Sequence, residues 1–187
     1  MKRAVVFGLT ALTAVGCAPD YVTQDQSSVL FRVVTVNGGA PLVSDVSIGG
    51  TVIADNVDVV LAVRAKNRQI PTPQVPMAVF VERYEVRYYR SDGRNTEGLD
   101  VPFRVSGNVT TAIDVGEGGA DNVALAVEVV RAQAKLEPPL RNLTSLGGSA
   151  LIMTVFAEIT IHGRTVSGDA VQDTGRLQID FADYQEQ

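Results

Sequence analysis

The sequence has few of the residues that most often carry catalysis or bind metal ions. Its 187 residues include one cysteine, one histidine and no tryptophan, and aromatic side chains make up only 6%. One cysteine cannot form an internal disulfide, and one histidine excludes the zinc and copper sites that several histidines build. We expect His162 to lie exposed at the end of a strand, on its polar face. A chain of this length can fold without disulfides or metals, by burying apolar surface.

The common motifs of nucleophilic and phosphate chemistry are also missing. There is no Gly-x-Ser-x-Gly turn, no Gly-x-x-x-x-Gly-Lys loop and no Gly-x-Gly-x-x-Gly loop. The net charge of −5 argues against nucleic acid as a partner, because phosphate binding requires an excess of Lys and Arg. We predict a protein that is not an enzyme. A hydrolase with two carboxylates is the weakest alternative, since such a pair meets only in the folded chain.

One acidic, glycine-rich segment raises the question of calcium. Asp114, Glu117 and Asp121 lie within residues 114–122, and calcium needs only oxygen ligands. The spacing of an EF-hand loop is absent, and acidic turns are common in solvated β proteins. The sequence therefore leaves calcium binding in this segment open and predicts no other metal or cofactor.

The N-terminus carries the clearest signal. Lys2 and Arg3 give it positive charge, and residues 4–15 form an apolar stretch interrupted only by two threonines. Twelve residues suit the central part of a signal peptide but are too short to span a bilayer, which takes about 20. The small residues Ala14, Val15 and Gly16 then precede Cys17. An ordinary secretory signal followed by a chance cysteine is the alternative.

The segment Ala14-Val15-Gly16-Cys17 resembles the lipobox of bacterial lipoproteins, although that motif usually has leucine where Ala14 stands. The resemblance implies recognition by signal peptidase II, removal of residues 1–16 and covalent lipid on Cys17. Two or more acyl chains anchor a protein stably. Residues 17–27 would then be a lipidated tether, and Ala18 after the cysteine resembles a signal for the outer membrane. Cleavage removes Lys2 and Arg3, which takes the side-chain charge from −5 to −7.

Residues 28–187 show alternation with a period of two, which predicts strands that have one buried and one solvated face. We expect a single all-β domain, an antiparallel β-sandwich of seven to eight strands. It resembles immunoglobulin-like and transthyretin-like domains in architecture alone; a small closed β-barrel is the alternative. The one helix candidate is residues 132–146, which Pro138 and Pro139 interrupt; residues 140–143 form one helical turn or belong to a crossover loop between the sheets. The first strand is predicted to place Val29, Phe31, Val33 and Thr35 on one side.

Residues 84–100 stand out because they mix tyrosine and arginine, which are enriched in protein interfaces. The candidate interaction residues are Arg87, Tyr88, Tyr89, Arg90 and Arg94. The alternative is a solvated hairpin that turns at Asp92 and Gly93.

Together these features predict a membrane-anchored envelope lipoprotein that binds another envelope protein or has a structural role. Its membrane contact would be made by acyl chains. A carrier or sensor of small ligands is the alternative, and it requires a cavity of about 300 Å³ or more between the sheets. The sequence does not predict the oligomeric state.

Overall fold

A computed structural model of the protein describes residues 27–48, 50–66, 78–115, 119–144 and 151–184. These residues form eight strands and two helices of one turn each. The strands and helices, in chain order, are β1 (Val29–Val36), β2 (Leu42–Asp45), β3 (Asp55–Ala65), β4 (Ala78–Tyr89), β5 (Val105–Asp114), β6 (Ala120–Val130), α1 (Ala132–Lys135), α2 (Arg141–Thr144), β7 (Met153–Thr165) and β8 (Ala170–Ala182). A short 3-10 turn, Asn37–Gly39, follows β1.

The strands form two sheets. One has three strands in the order β1-β3-β6, and the other has five in the order β2-β8-β7-β4-β5. If β1, β3 and β6 are the A, B and E strands, then β4, β5, β7 and β8 take the places of C, C′, F and G, which is an immunoglobulin-like arrangement. The predicted all-β fold is therefore confirmed. One sheet is curled like half a barrel, and the short pair β2–β8 is parallel, whereas all other pairs are antiparallel.

The inner faces of the two sheets make one hydrophobic core, and its residues follow the predicted alternation. In β3, Val57, Val59, Leu61 and Val63 are all buried. The core positions of β6 and β7 alternate in the same way, whereas those of β4 change parity at a register shift between Val81 and Arg83. Phe31 and Phe181 are among the largest fully buried side chains. Branched and aromatic side chains fit this setting because they pack well on a half-buried pleated surface.

β1 departs from the predicted pattern. Its pairing with β3 shifts register between Val33 and Thr35, and Val36 is buried while Thr35 is only partly buried. A shift of one residue turns the following side chains to the other face of the strand. The expectation that Thr35 points inward with Phe31 was therefore wrong.

β1 also lies against β8, so the two sheets meet at that edge. The backbone N–H of Val33 donates to Asp173 Oδ2 at 2.8 Å. A Cβ atom on Gly175 would lie 2.5 Å from Val36 and 2.8 Å from Val33, so only glycine permits this approach.

The direction of the strands defines two ends of the sandwich. β1 begins at the end that the N-terminal segment enters, and β3 finishes beside it, with Val29 opposite Ala65; we call this the tether end. At the opposite end, Tyr88 of β4 contacts Val129 of β6 across the core. We call this second end the far end, and it contains the described parts of the connections 46–54, 90–104 and 131–152.

Candidate functional site: the far end of the sandwich

The structure divides the five candidate interaction residues among different environments. Tyr88 is buried, with 3% of its surface exposed, so it cannot belong to an exposed patch. Its hydroxyl donates a hydrogen bond to the carbonyl oxygen of Val129 on the opposite sheet. Burial raises the pKa of Tyr88 above its usual value. Tyr88 therefore joins the two sheets, and the expectation that it is exposed was wrong.

Tyr89 and Arg87 lie on the outer face of the five-stranded sheet. Tyr89 stacks on Phe156 of β7 with ring centroids 5.5 Å apart and ring planes 25° apart. Arg87 is exposed and lies opposite Glu158 in the register of β4 and β7. These two side chains belong to the surface of a sheet, not to its end.

Arg90 and Arg94 belong to the connection between β4 and β5, residues 90–104, which we call the β4–β5 loop. Arg90 binds Asp92 through two hydrogen bonds, Nε to Oδ1 at 3.1 Å and a terminal nitrogen to Oδ2 at 2.6 Å. Arg90 lowers the pKa of Asp92 by donating these bonds, and Asp92 raises the pKa of Arg90 by accepting them. The backbone N–H of Arg94 also donates to Asp92, at 3.2 Å. The predicted turn at Asp92 and Gly93 is thus the first part of a longer, ion-paired loop.

Two more ion pairs close the same loop. Arg94 lies 3.3 Å from Asp100, and Arg104 lies 2.9 Å from Glu97. Asp100 also accepts a hydrogen bond from the backbone N–H of Thr96 at 3.3 Å. Both arginine side chains remain largely exposed, at 69% and 72%. All of these contacts lie within the fifteen residues of the β4–β5 loop.

The tip of the β4–β5 loop presents apolar side chains to solvent. Leu99 is 68% exposed and Phe103 is 46% exposed, while Val101 between them is fully buried and fixes the loop to the core. Gly98 has φ +75°, and a Cβ atom there would lie 2.3 Å from the Phe103 ring. The ring therefore rests directly on the glycine backbone.

Exposed apolar side chains lie at this end, which has most of the described connection residues because residues 67–77 and 116–118 of the other end are outside the description. Twelve large apolar side chains are exposed among the described residues. Seven of the twelve lie in the far-end connections: Ile48, Ile53, Leu99, Phe103, Leu136, Leu151 and Ile152. In the described connections of the tether end the corresponding residue is Val166, at 50%. The sequence prediction missed these residues because they lie in connections between the strands, although it had assigned Leu151 to the alternating set of β7. In the sequence they could have been recognised as large apolar residues within segments rich in turn-forming residues.

A buried charge lies beneath the far end. The side chain of Lys135 is 1% exposed, and its Nζ lies 3.0 Å from Asp55 Oδ2. The same Nζ donates to the Asp45 carbonyl oxygen at 2.6 Å, and Ser44 Oγ donates to Asp55 Oδ2 at 2.6 Å. These contacts join α1, β2 and the start of β3, so they fix the far-end connections to one another.

The ionisable residues of the sequence analysis are spread over the fold. His162 lies within β7 rather than at its end, with its side chain 18% exposed and Nε2 3.9 Å from Glu85, so its predicted position was wrong. Among the described residues, no three or more His, Cys, Asp or Glu side chains converge as metal ligands. Asp114 ends β5. Glu117 and the side chain of Asp121 are outside the described part, so calcium binding there stays open.

Two grooves lie on the surface. One, of about 630 Å³, follows the outer face of the three-stranded sheet, where Leu30, Arg32 and Ala62 contribute to its lining. The other, of about 540 Å³, follows β4 and β5 between Phe80 and Thr111. Each groove is lined by strands of a single sheet, so neither is the cavity between sheets that a small-ligand carrier requires.

The proposed lipid site is outside the described residues. Ala14, Val15, Gly16 and Cys17 all precede Ser27, where the description begins. In the part of the chain that is described, no helix is long and apolar enough to cross a membrane. Comparison of the sequence with models of known protein families gives no match, and comparison with curated proteins gives none either.

Proposed function

We propose that the protein is a lipoprotein of the bacterial envelope that holds a β-sandwich at a membrane and acts by binding another protein. The observation that carries the proposal is that β1 begins at one end of the sandwich while many exposed apolar side chains lie at the other. The cysteine of the lipobox-like segment lies twelve positions before Val29, where β1 begins at the tether end, and seven of the twelve exposed large apolar side chains among the described residues lie in the far-end connections. The module would thus be attached at one end and free to bind at the other.

The chain lengths give this arrangement a scale. Ten residues, 17–26, separate the lipid site from the described domain, and fully extended they reach at most about 35 Å. β7 has 13 residues and runs the length of the sandwich, which at about 3.3 Å per residue is roughly 40 Å. The tether end is therefore kept near the bilayer, and the far end stands roughly one domain length beyond it.

The anchor is tested by labelling with radioactive palmitate and by intact mass in a bacterial host. The wild type is expected to incorporate palmitate and to begin at Cys17, whereas Cys17→Ser incorporates none. The matched control is the double variant Cys17→Ser/Ser28→Cys, which keeps one cysteine in the chain but moves it out of the lipobox-like segment. It is also expected to incorporate none, because the peptidase reads the cysteine in its context.

A wild-type protein without lipid would contradict the proposal, and a mature chain that begins elsewhere would show an ordinary secretory signal instead. Separation of the membranes on a density gradient tests the location. The wild type is expected in the outer membrane, and Ala18→Asp is expected to shift it toward the inner membrane. Equal distribution of both proteins would remove the sorting part of the proposal.

A further inference from the structure

We propose that the groove on the outer face of the three-stranded sheet binds phosphate headgroups of the membrane that anchors the protein. We call it the basic groove, and its lining includes Leu30, Arg32, Val34, Ala62 and Arg64. This proposal rests on the proposed lipid anchor, which brings the groove to a bilayer. It adds which face of the domain touches that bilayer.

The register of β1 and β3 places the two arginines of the groove side by side. Arg32 pairs with Ala62, and Arg64 follows two residues later on β3, opposite Leu30. Diagonal neighbours of this kind are about 7–8 Å apart, which is within reach of long side chains. Because Ala62 is small, the two exposed arginines flank an open depression. Guanidinium groups suit a phosphate there, because their N–H donors match its oxygens in pairs.

Charge is divided along the outer face of this sheet. Arg32 and Arg64 lie in the half of the face toward the tether end. In the described part of the face, the acidic side chains are Asp58 and Glu128, and both lie toward the far end. A negatively charged membrane attracts the first half and repels the second. The contact therefore tilts the domain so that its far end points away from the bilayer.

The tether keeps the basic groove within reach of the bilayer. Ten residues, 17–26, lie between the proposed lipid site and the described domain, and they extend to at most about 35 Å. Leu30 and Arg32 are the second and fourth residues of β1, the first strand after the tether. A surface held this close to the bilayer meets it at high effective concentration, so a weak contact is sufficient.

The apolar side chains of the groove also suit a lipid interface. Leu30 is 36% exposed and Val34 is 51% exposed, on either side of Arg32. At a membrane surface such side chains enter the boundary of the acyl chains while the basic groups meet the headgroups. Each basic side chain near an anionic surface strengthens binding by roughly fivefold. Among the described residues no carboxylate forms an ion pair with Arg32, so the test uses this residue.

The test uses the lipidated protein in vesicles and one tryptophan as a reporter, because the chain has none of its own. Leu30→Trp places the reporter in the basic groove, and Phe80→Trp is the matched control. Both positions lie near the tether end, but Phe80 is on the outer face of the five-stranded sheet and is 48% exposed. The quencher is a phospholipid with a nitroxide on its headgroup. In vesicles of equal parts phosphatidylglycerol and phosphatidylcholine, the nitroxide is expected to quench the tryptophan at position 30 more strongly than the one at position 80. Vesicles of phosphatidylcholine alone should reduce this difference.

Charge reversal then tests the arginine itself. In the Leu30→Trp protein, Arg32→Glu is expected to remove most of the quenching that depends on phosphatidylglycerol. Arg176→Glu is the matched control, with the same change of charge on the outer face of the five-stranded sheet, where the Arg176 side chain is 72% exposed. Both variants alter the net charge equally, so only a contact at the groove separates them. Circular dichroism and the urea midpoint check that each variant is folded.

The assignment fails if positions 30 and 80 are quenched equally, if phosphatidylglycerol has no effect, or if the two arginine variants behave alike. It also fails if a second copy of the chain covers the groove, which sedimentation equilibrium without vesicles would detect as a dimer that Arg32→Glu dissociates. The anchor and the groove can fail separately. If the wild type carries no palmitate, the anchor fails, and cosedimentation of the secreted protein with the same vesicles tests the groove alone. Binding that Arg32→Glu weakens about fivefold or more would support the groove, and no binding would overturn it.

Discussion

The buried pair Lys135–Asp55 gives the sharpest test of how the far end is held together. Lys135 Nζ has two acceptors, Asp55 Oδ2 at 3.0 Å and the Asp45 carbonyl oxygen at 2.6 Å, and its side chain is 1% exposed. Replacing Lys135 with methionine keeps an unbranched side chain that is one atom shorter, and it removes the charge. Asp55 then retains the hydrogen bond from Ser44 but loses its counter-charge.

The expected cost follows from what remains buried. Removing one partner of a buried ion pair typically costs about 3–5 kcal/mol, because the other charge is left uncompensated. The Asp55 side chain is 19% exposed and keeps one hydrogen bond, so we expect the lower end, about 3 kcal/mol. For a domain of this size that lowers Tm by roughly 6–12 °C. It is a large share of a total stability of about 5–15 kcal/mol.

The assay is urea unfolding of the unlipidated Cys17→Ser protein, followed by circular dichroism. Arg176→Met is the matched control, because Arg176 also pairs with a carboxylate, Glu158 at 3.2 Å, but its side chain is 72% exposed. An exposed pair of this kind is expected to contribute less than about 1 kcal/mol. The double variant Lys135→Met/Asp55→Leu removes both charges, so it should be more stable than Lys135→Met alone.

The reasoning fails if Lys135→Met unfolds at the same urea concentration as Arg176→Met. It fails also if the double variant Lys135→Met/Asp55→Leu is less stable than Lys135→Met alone. Either result would mean that the Lys135 ammonium group reaches solvent and is not truly buried. The far-end connections would then not depend on its ion pair with Asp55.

Two further predictions concern the core and the β4–β5 loop. Tyr88→Phe removes the hydrogen bond to the Val129 carbonyl and should cost about 1–3 kcal/mol in urea unfolding, since a buried acceptor loses its donor. Because burial raises the folded pKa of Tyr88, the unfolded chain ionises first, so stability should fall above about pH 10. That fall should be smaller in the Phe variant; an equal slope would contradict the argument. Gly98→Ala should displace the Phe103 ring and destabilise the domain more than Gly93→Ala. Both glycines have positive φ, but a Cβ on Gly93 meets nothing within 4 Å. Equal urea midpoints for the two alanine variants would contradict this.

Periodicity predicted the strands in which side chains simply alternate between the core and solvent. The alternating residues of β3 face a core on one side and solvent on the other, so Val57 to Val63 could be assigned from the sequence. β1 was predicted only as far as its bulge. At the register shift, Val33 donates a hydrogen bond to Asp173 of β8, 140 positions further along the chain, a contact that no local pattern contains.

The candidate site shows the same limit of prediction from local sequence patterns. Tyr88 belongs to the alternating set of Tyr84 and Val86, and that set alone would have placed it inside. Its choice as an interface residue gave composition more weight than alternation. Leu99 could not be assigned in this way, because a turn has no period. Its exposure depends on how Val101 enters the core and how Gly98 meets Phe103.

The topology explains why the two ends of the sandwich differ. The chain enters at the tether end, so β1 and the parallel strand β2 both run toward the far end, and every later strand reverses direction. The described parts of the connections 46–54, 90–104 and 131–152 must therefore lie at the far end, whereas the turn 166–169 between β7 and β8 lies at the tether end. Long connections supply binding surface more readily than tight turns, because a strand core holds them without fixing their sequence. An N-terminal anchor on this fold thus directs its longest described connections away from the point of attachment.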